Sequence, residues 1–156
     1  MTQRFILDEN IVILAEKGED DRGEPDLSCR TLFTQIIEIC HTIVLDPTLW
    51  DKYHSQLGNP RYDQLQGGIS LLPVIYNAVS IEGKVDIRAI DASPFPEEGN
   101  IPQGSQDDVE VVRLAVETGA TLVTTDESLR HDLNACGVQE KYHLRLLSPS
   151  EALDEL

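Results

Sequence analysis

The sequence predicts an α/β protein, a three-layer α/β/α sandwich built on a mainly parallel sheet. Short β-prone apolar runs alternate along the chain with segments whose apolar residues recur at helical spacing. Alternation of this kind is satisfied by parallel strands joined through helices that cover both faces of the sheet. Two strand-like runs close on acids, Asp8 and Asp126, and a third acid, Asp108, opens a helix. In open parallel sheets ligands gather at the carboxyl ends of the strands, which also lie near the N-termini of following helices. The three acids are therefore expected at one edge.

The first strand is Phe5-Ile6-Leu7, followed by Asp8-Glu9-Asn10 and a helix carried by Ile11, Val12, Leu14 and Ala15. Glu16 to Asp26, with clustered acids, two glycines and a proline, reads as an exposed, solvated loop. Ser28 is placed to cap a helix running through Cys40 with Leu32, Phe33, Ile36, Ile37 and Ile39 on its apolar face. Thr42 to Leu45 is the second strand. Asp46-Pro47 opens a helix striped by Leu49, Trp50, Tyr53 and Leu57, which Gly58-Asn59-Pro60 stops.

Gly67-Gly68 suggests a break, and Ile69 to Ile81 a helix interrupted near its start by Pro73. Lys84 to Ile90 alternates Val85, Ile87 and Ala89 with Asp86 and Arg88, a half-buried strand, and Ala92 to Ser105 is loop. Asp107-Asp108 then heads a helix with Val109, Val112, Leu114, Ala115 and Val116 inward, ended by Gly119. Thr121 to Thr124 is a strand closing on Asp126; Leu129, Leu133 and Cys136 mark a helix ended by Gly137; His143 to Leu147 is the last strand. Ser148-Pro149-Ser150-Glu151 starts a terminal helix.

A chain of 156 residues with 40% hydrophobic composition fits one domain spanning 1–156. No apolar run is long enough to span a bilayer and no signal-peptide pattern opens the chain, so a cytoplasmic protein with no membrane partner is expected. Cys29, Cys40 and Cys136 lack CxxC spacing and sit in apolar helical segments, which suits reduced structural thiols. The four histidines share no ligand spacing with one another or with a cysteine, which argues against zinc. The net charge of −16 supplies no obvious basic face for nucleic acid and suits a solvated surface, a bound cation or a basic partner.

Carboxylates crowded at a strand edge repel one another and raise each other's pKa unless a cation is bound. With Asp8, Asp108 and Asp126 as donors and no His or Cys among them, the suited cation is Mg²⁺ or Mn²⁺. Such a cluster favours metal-assisted chemistry on a phosphate over zinc hydrolysis or a nucleophilic triad. Each acid also has a plainer reading as a helix cap.

The chain resembles the PIN-domain family, and within it the PilT N-terminus-like and VapC-like ribonucleases. The residues that carry the likeness are Asp8 with Glu9-Asn10, Asp107-Asp108 ahead of Ala115, Gly119-Ala120 with Thr124-Thr125-Asp126 and Leu129, and the ending Leu147-Ser148-Pro149-Ser150-Glu151. The resemblance implies a five-stranded parallel sheet and a pocket binding Mg²⁺ or Mn²⁺ through Asp8, Asp108 and Asp126, with Asn10 and Thr124 as supports. It further implies hydrolysis of RNA phosphodiesters by metal-activated water, and admits a toxin role with a protein antitoxin and a homodimer as partners. In one place the chain departs from the pattern. The family usually carries Glu directly before the tyrosine of its third helix, whereas this chain has Lys52 before Tyr53 and Asp51 one place earlier. A one-residue shift turns a side chain about 100° around a helix. Asp51 is then a fallback ligand, and Lys52 a group that neutralises the pocket or touches phosphate. The alternatives are a catalytically degraded PIN-like binding module and a flavodoxin-like or receiver-like signalling domain. The last would want a lysine after the final strand, where Leu144 to Pro149 has none.

Overall fold

Arg4–Leu7 forms strand β1, and Phe5, Ile6 and Leu7 in it are completely buried. Successive side chains of a strand point to opposite faces, so burial of three in a row requires cover on both. In this computed structural model, which describes residues 2–39, 41–57, 69–90 and 98–156, β1 is the middle of five strands. The others are β2 (Thr42–Leu45), β3 (Val85–Ile87), β4 (Thr121–Val123) and β5 (Leu146–Leu147), in the order β3-β2-β1-β4-β5. Every pairing is parallel, with Phe5 opposite Ile43 on one side and Thr121 on the other. The chain walks outward from β1 to β3, then crosses back to β4 and walks outward again to β5. The order therefore reverses between β1 and β4, which is where sheets of this kind open a crevice at their carboxyl edge.

Among the described residues eight α-helices cover the sheet: α1 (Glu9–Lys17), α2 (Ser28–Glu38), α3 (Pro47–Gln56), α4 (Leu72–Val79), α5 (Val109–Thr118), α6 (Glu127–Ala135), α7 (Val138–Lys141) and α8 (Pro149–Glu155). Two 3-10 helices, Glu98–Asn100 and Gln103–Asp108, precede α5. The residue that ends a strand commonly starts the next helix. Asp8, Asp46, Asp126 and Ser148 each accept a hydrogen bond from a backbone N–H in the first turn of α1, α3, α6 and α8. At the other end, Gly18 and Gly119 close α1 and α5 in the left-handed conformation, φ 70° and 68°, which glycine adopts without a Cβ penalty.

The fold class and the five strands are as expected, and the differences cluster at the periphery. Residues 84–90 contribute only a three-residue strand. It is an edge strand, so Val85 is half-buried and Ile87 lies 42% exposed where an inward face was expected. Pro73 falls in the first turn of α4 and starts that helix without interrupting it, because a missing N–H costs nothing there. Ser28 is the first residue inside α2 and donates its N–H to Asp26 (2.7 Å), while Ile39 lies beyond the helix, 41% exposed. Glu16, read as part of a solvated loop, is the penultimate residue of α1. It is 1% exposed, and its Oε1 accepts the N–H of Leu71 (2.8 Å).

The final strand shrinks to two residues, and the extra helix α7, anchored by buried Val138, occupies part of the span before it. Helix α5 buries Val111 and Arg113 in addition to Val109, Val112, Leu114 and Ala115, while Val116 is only half-buried. Cys29 is a buried free thiol whose pKa burial pushes up to about 12, and Cys136 is also free. Cys40, the stop at residues 58–60 and the break at 67–68 lie outside the described residues. No described helix is long and apolar enough to cross a membrane.

Candidate active site

Asp8 closes β1 at the point where the strand order reverses. It is 4% exposed and both carboxylate oxygens are engaged: Oδ1 accepts the N–H of Glu9 (2.8 Å) and Oδ2 accepts the hydroxyl of Thr124 (3.1 Å). Burial raises its pKa above the ordinary carboxylate value. The Thr124 and Glu9 N–H hydrogen bonds work against that, the charge of Glu9 adds to it, and the ammonium of Lys52 opposes it. Burial thus outweighs the stabilisation that the hydrogen bonds and Lys52 give the Asp8 carboxylate.

Thr124 follows β4 and is completely buried. Its hydroxyl donates to Asp8 and accepts the N–H of Asp126 (3.1 Å), so one side chain joins the end of β1 to the residue that starts α6, 116 positions away for the first of those bonds. Asp126 is half-buried, and its Oδ1 accepts the N–H of Leu129 (3.0 Å) as the cap of α6. The capping reading and the site reading therefore coexist in Asp8 and in Asp126. In Asp108 they do not: it stands at the head of α5, half-buried, and makes no side-chain capping bond to that helix. Asn10 lies exposed on the first turn of α1.

Helix α3 supplies the next corner. Tyr53 is 1% exposed, and its hydroxyl donates to the carbonyl of Leu7, the residue before Asp8. With Tyr53 pinned inward, the neighbouring positions are set by helical rotation. Asp51 is exposed, while Lys52 is half-buried and its charge lowers the pKa of both Asp8 and Asp46.

Asp46 is the residue that sequence reading passed over, taking it only as a helix start. It closes β2 as Asp8 closes β1, is 5% exposed, and its Oδ1 accepts the N–H of Leu49 (2.7 Å). Burial raises its pKa, the Leu49 hydrogen bond lowers it, Glu110 in the first turn of α5 raises it, and Lys52 lowers it. The available signal was positional, an acid directly after a buried strand. A pocket of about 170 Å³ lined by Asp46, Thr48, Ile90, Glu110 and Arg113 opens beside it. A larger concavity of about 360 Å³ lies between the acidic 19–26 loop and the starts of α6 and α8, and contains none of Asp8, Asp108 and Asp126.

Among the described residues no group of three or more His, Cys, Asp or Glu side chains is arranged to hold a metal ion. Asp8 and Asp126 are tied together through Thr124, while Asp108 stands on a separate element, at the head of α5. The donor chemistry still suits a hard cation, since the groups are carboxylates and a hydroxyl. Mg²⁺ commonly keeps several waters and is held by one or two carboxylates plus substrate phosphate. The residues therefore fit an ion completed by its substrate, and do not form a protein-only cage.

Five parallel strands between helices, with an acid closing β1 and another starting the helix after β4, match the arrangement that the resemblance in the sequence implies. Among solved structures the chain is similar to a PilT N-terminus domain protein from the hyperthermophilic archaeon Sulfolobus solfataricus P2. The likeness covers 98% of this chain and 92% of that one at 14% identity, with a TM-score of 0.47. No protein-family model matches the chain, and no curated protein matches it.

Proposed function

We propose that the protein is a metal-dependent endoribonuclease that hydrolyses RNA phosphodiester bonds at the β1/β4 edge. The observation that carries this reading is the Asp8–Thr124–Asp126 chain of hydrogen bonds across the point where the strand order reverses. Two carboxylates from elements far apart in sequence are registered there by a fully buried hydroxyl. Helix capping alone does not call for that link.

Asp8 and Asp126 would hold the ion, with Asp108 facing it from the head of α5. When bound, Mg²⁺ or Mn²⁺ supplies a water of lowered pKa and compensates charge on the attacking and leaving oxygens. Thr124 keeps one oxygen of Asp8 turned toward β4 and holds the backbone of Asp126 in place. Lys52 supplies a fixed positive charge beside Asp8 and Asp46, suited to a substrate phosphate. A second reading, a PIN-like binding module without catalysis, is favoured by that same lysine, since an ammonium beside two buried acids takes over part of the neutralising role of a metal.

Cleavage of single-stranded RNA in MnCl₂ tests the proposal. Activity is expected to vanish in EDTA and in Asp108→Asn and Asp126→Asn, and to fall by roughly 10–100-fold in Thr124→Val, the usual cost of removing a group that orients a ligand. Cleavage that survives both Asp→Asn changes rules out this site. A wild-type protein that neither cleaves RNA nor binds Mn²⁺ saturably supports the binding-module reading.

A further inference from the structure

Asp108 ends a short segment of its own, the 3-10 helix Gln103–Asp108 ahead of α5, and its side chain does not cap the helix that follows. The same segment contains a residue fixed far more firmly than its exposed surroundings. Ser105, three positions before Asp108, is 2% exposed; its N–H is bonded to the carbonyl of Pro102 (2.9 Å), and its hydroxyl donates to Oδ2 of Asp132 (2.7 Å). Asp132 sits half-buried on α6, the helix that Asp126 caps. Ile101, 3% exposed, anchors the other side of the turn in the core. One rigid helix thus carries a site acid at its head and, farther along, the acceptor that fastens the segment bearing a second site acid.

We infer that Ser105 and Asp132 are positioning residues that hold Asp108 in register with Asp126 at the proposed metal edge. The inference rests on the metal-dependent reading above. A hydroxyl–carboxylate hydrogen bond is stronger than a neutral pair and is directional, and burial at Ser105 keeps water from competing for it. Its removal frees the 3-10 turn to shift by an ångström or so while both flanking helices stay packed, and a metal site is sensitive to displacements of about that size. Neither residue touches the ion or the phosphate.

The test is a titration of the isotopically labelled protein with MnCl₂ alone, following paramagnetic broadening of backbone amide signals on the two sides of the site, Val109 and Glu127. In the wild type both signals are expected to broaden over one range of Mn²⁺ concentration. In Ser105→Ala and in Asp132→Ala the Val109 response should move to about tenfold higher Mn²⁺ while Glu127 keeps most of its response. The double variant should be no worse than either single one, and Asp132→Asn, which retains a carbonyl acceptor, should recover most of the wild-type behaviour. Unperturbed signals from Leu122 and Val123 in β4 certify that each variant is folded, and the two alanine variants serve as alternates for one another. If wild type broadens at both positions and the folded alanine variants match it, the positioning role is wrong and the metal site stands. If wild type broadens at neither, the metal-dependent reading fails and takes this inference with it.

Discussion

Lys52 occupies the turn of α3 where the resembled family carries a glutamate, and it is half-buried beside Tyr53, whose hydroxyl donates to the carbonyl of Leu7. Its charge falls on two buried acids at once, Asp8 and Asp46. Replacing it reverses the sign of the charge that those acids and any bound cation experience. Lys52→Glu is expected to tighten Mn²⁺ binding on the order of tenfold, the scale of a charge reversal at a half-buried position. Isothermal titration reads this directly, and unchanged or weaker binding would show that Lys52 faces away from the ion. At this scale the sequence was informative where function and local structure share a signal. Asp8, Thr124 and Asp126 follow buried strands, and that position both caps a helix and faces the edge. Asp46 obeys the same rule, yet the Asp-Pro pair is so common a helix opener that its burial and its link to Lys52 and Glu110 could be seen only in three dimensions. The exposure of Asp51 and of Asn10 depends on how α3 and α1 are rotated, which residue identity alone leaves open.

Among elements, those with a start signal and a buried neighbour were legible: α1, α3, α5 and α8 begin within a residue or so of the places their caps indicate. Helix α8 has the most complete cap. The hydroxyl of Ser148 accepts the N–H of Glu151 (3.2 Å), and Glu151 returns its Oε2 to the N–H of Ser148 (2.9 Å). That N–H, with Arg130 beside it, holds the Glu151 carboxyl below its usual value of 4.5. A carboxyl with a depressed folded pKa binds its proton more readily in the unfolded chain. Its contribution is therefore complete above the usual value and disappears as pH falls through the folded one. Glu151→Gln is expected to lower the Tm relative to wild type at about pH 6, with the difference closing toward about pH 3. A difference that stays constant over that range would mean the cap acts through geometry and not through charge. The illegible elements are the outer strands. Three residues of β3 and two of β5 pair on one side only, so their length is set by what the neighbouring strand offers and not by their own alternation. The short helix α7 depends on the same circumstance, since a single buried residue, Val138, holds it in place.

For the molecule as a whole the dominant quantity is the net charge of −16. Affinity for RNA that is independent of sequence arises from cations neutralising phosphates, and twelve Lys and Arg against 28 Asp and Glu leave little of it. Gel-shift titration of the wild type with a cleavage-resistant single-stranded RNA is expected to show weak binding in EDTA and a marked gain in Mn²⁺. Tight binding in EDTA would place the RNA contact away from the acids. The architecture itself was readable from the alternation of strand and helix patterns, because burial of a parallel sheet on both faces leaves a continuous apolar signature in β1, β2 and β4. The reversal of strand order was not written in any local pattern. It follows from β4 pairing with β1, and nothing in residues 4–7 or 121–123 taken separately announces that partnership.

That pairing gives the molecule a particular history each time it is made. Of the five strands β1 is made first and finds β2 within some forty residues, but its opposite edge has no partner until residues 121–123 have been synthesised. Contacts between segments so distant in sequence are slow to close. Until then the chain carries an open edge on a strand whose Phe5, Ile6 and Leu7 are destined for complete burial, beside an Asp8 whose second oxygen awaits the Thr124 hydroxyl. The Asp8–Thr124–Asp126 link comes into being only once β4 has joined β1, so no shorter folded piece of the chain, ending before β4, would possess it.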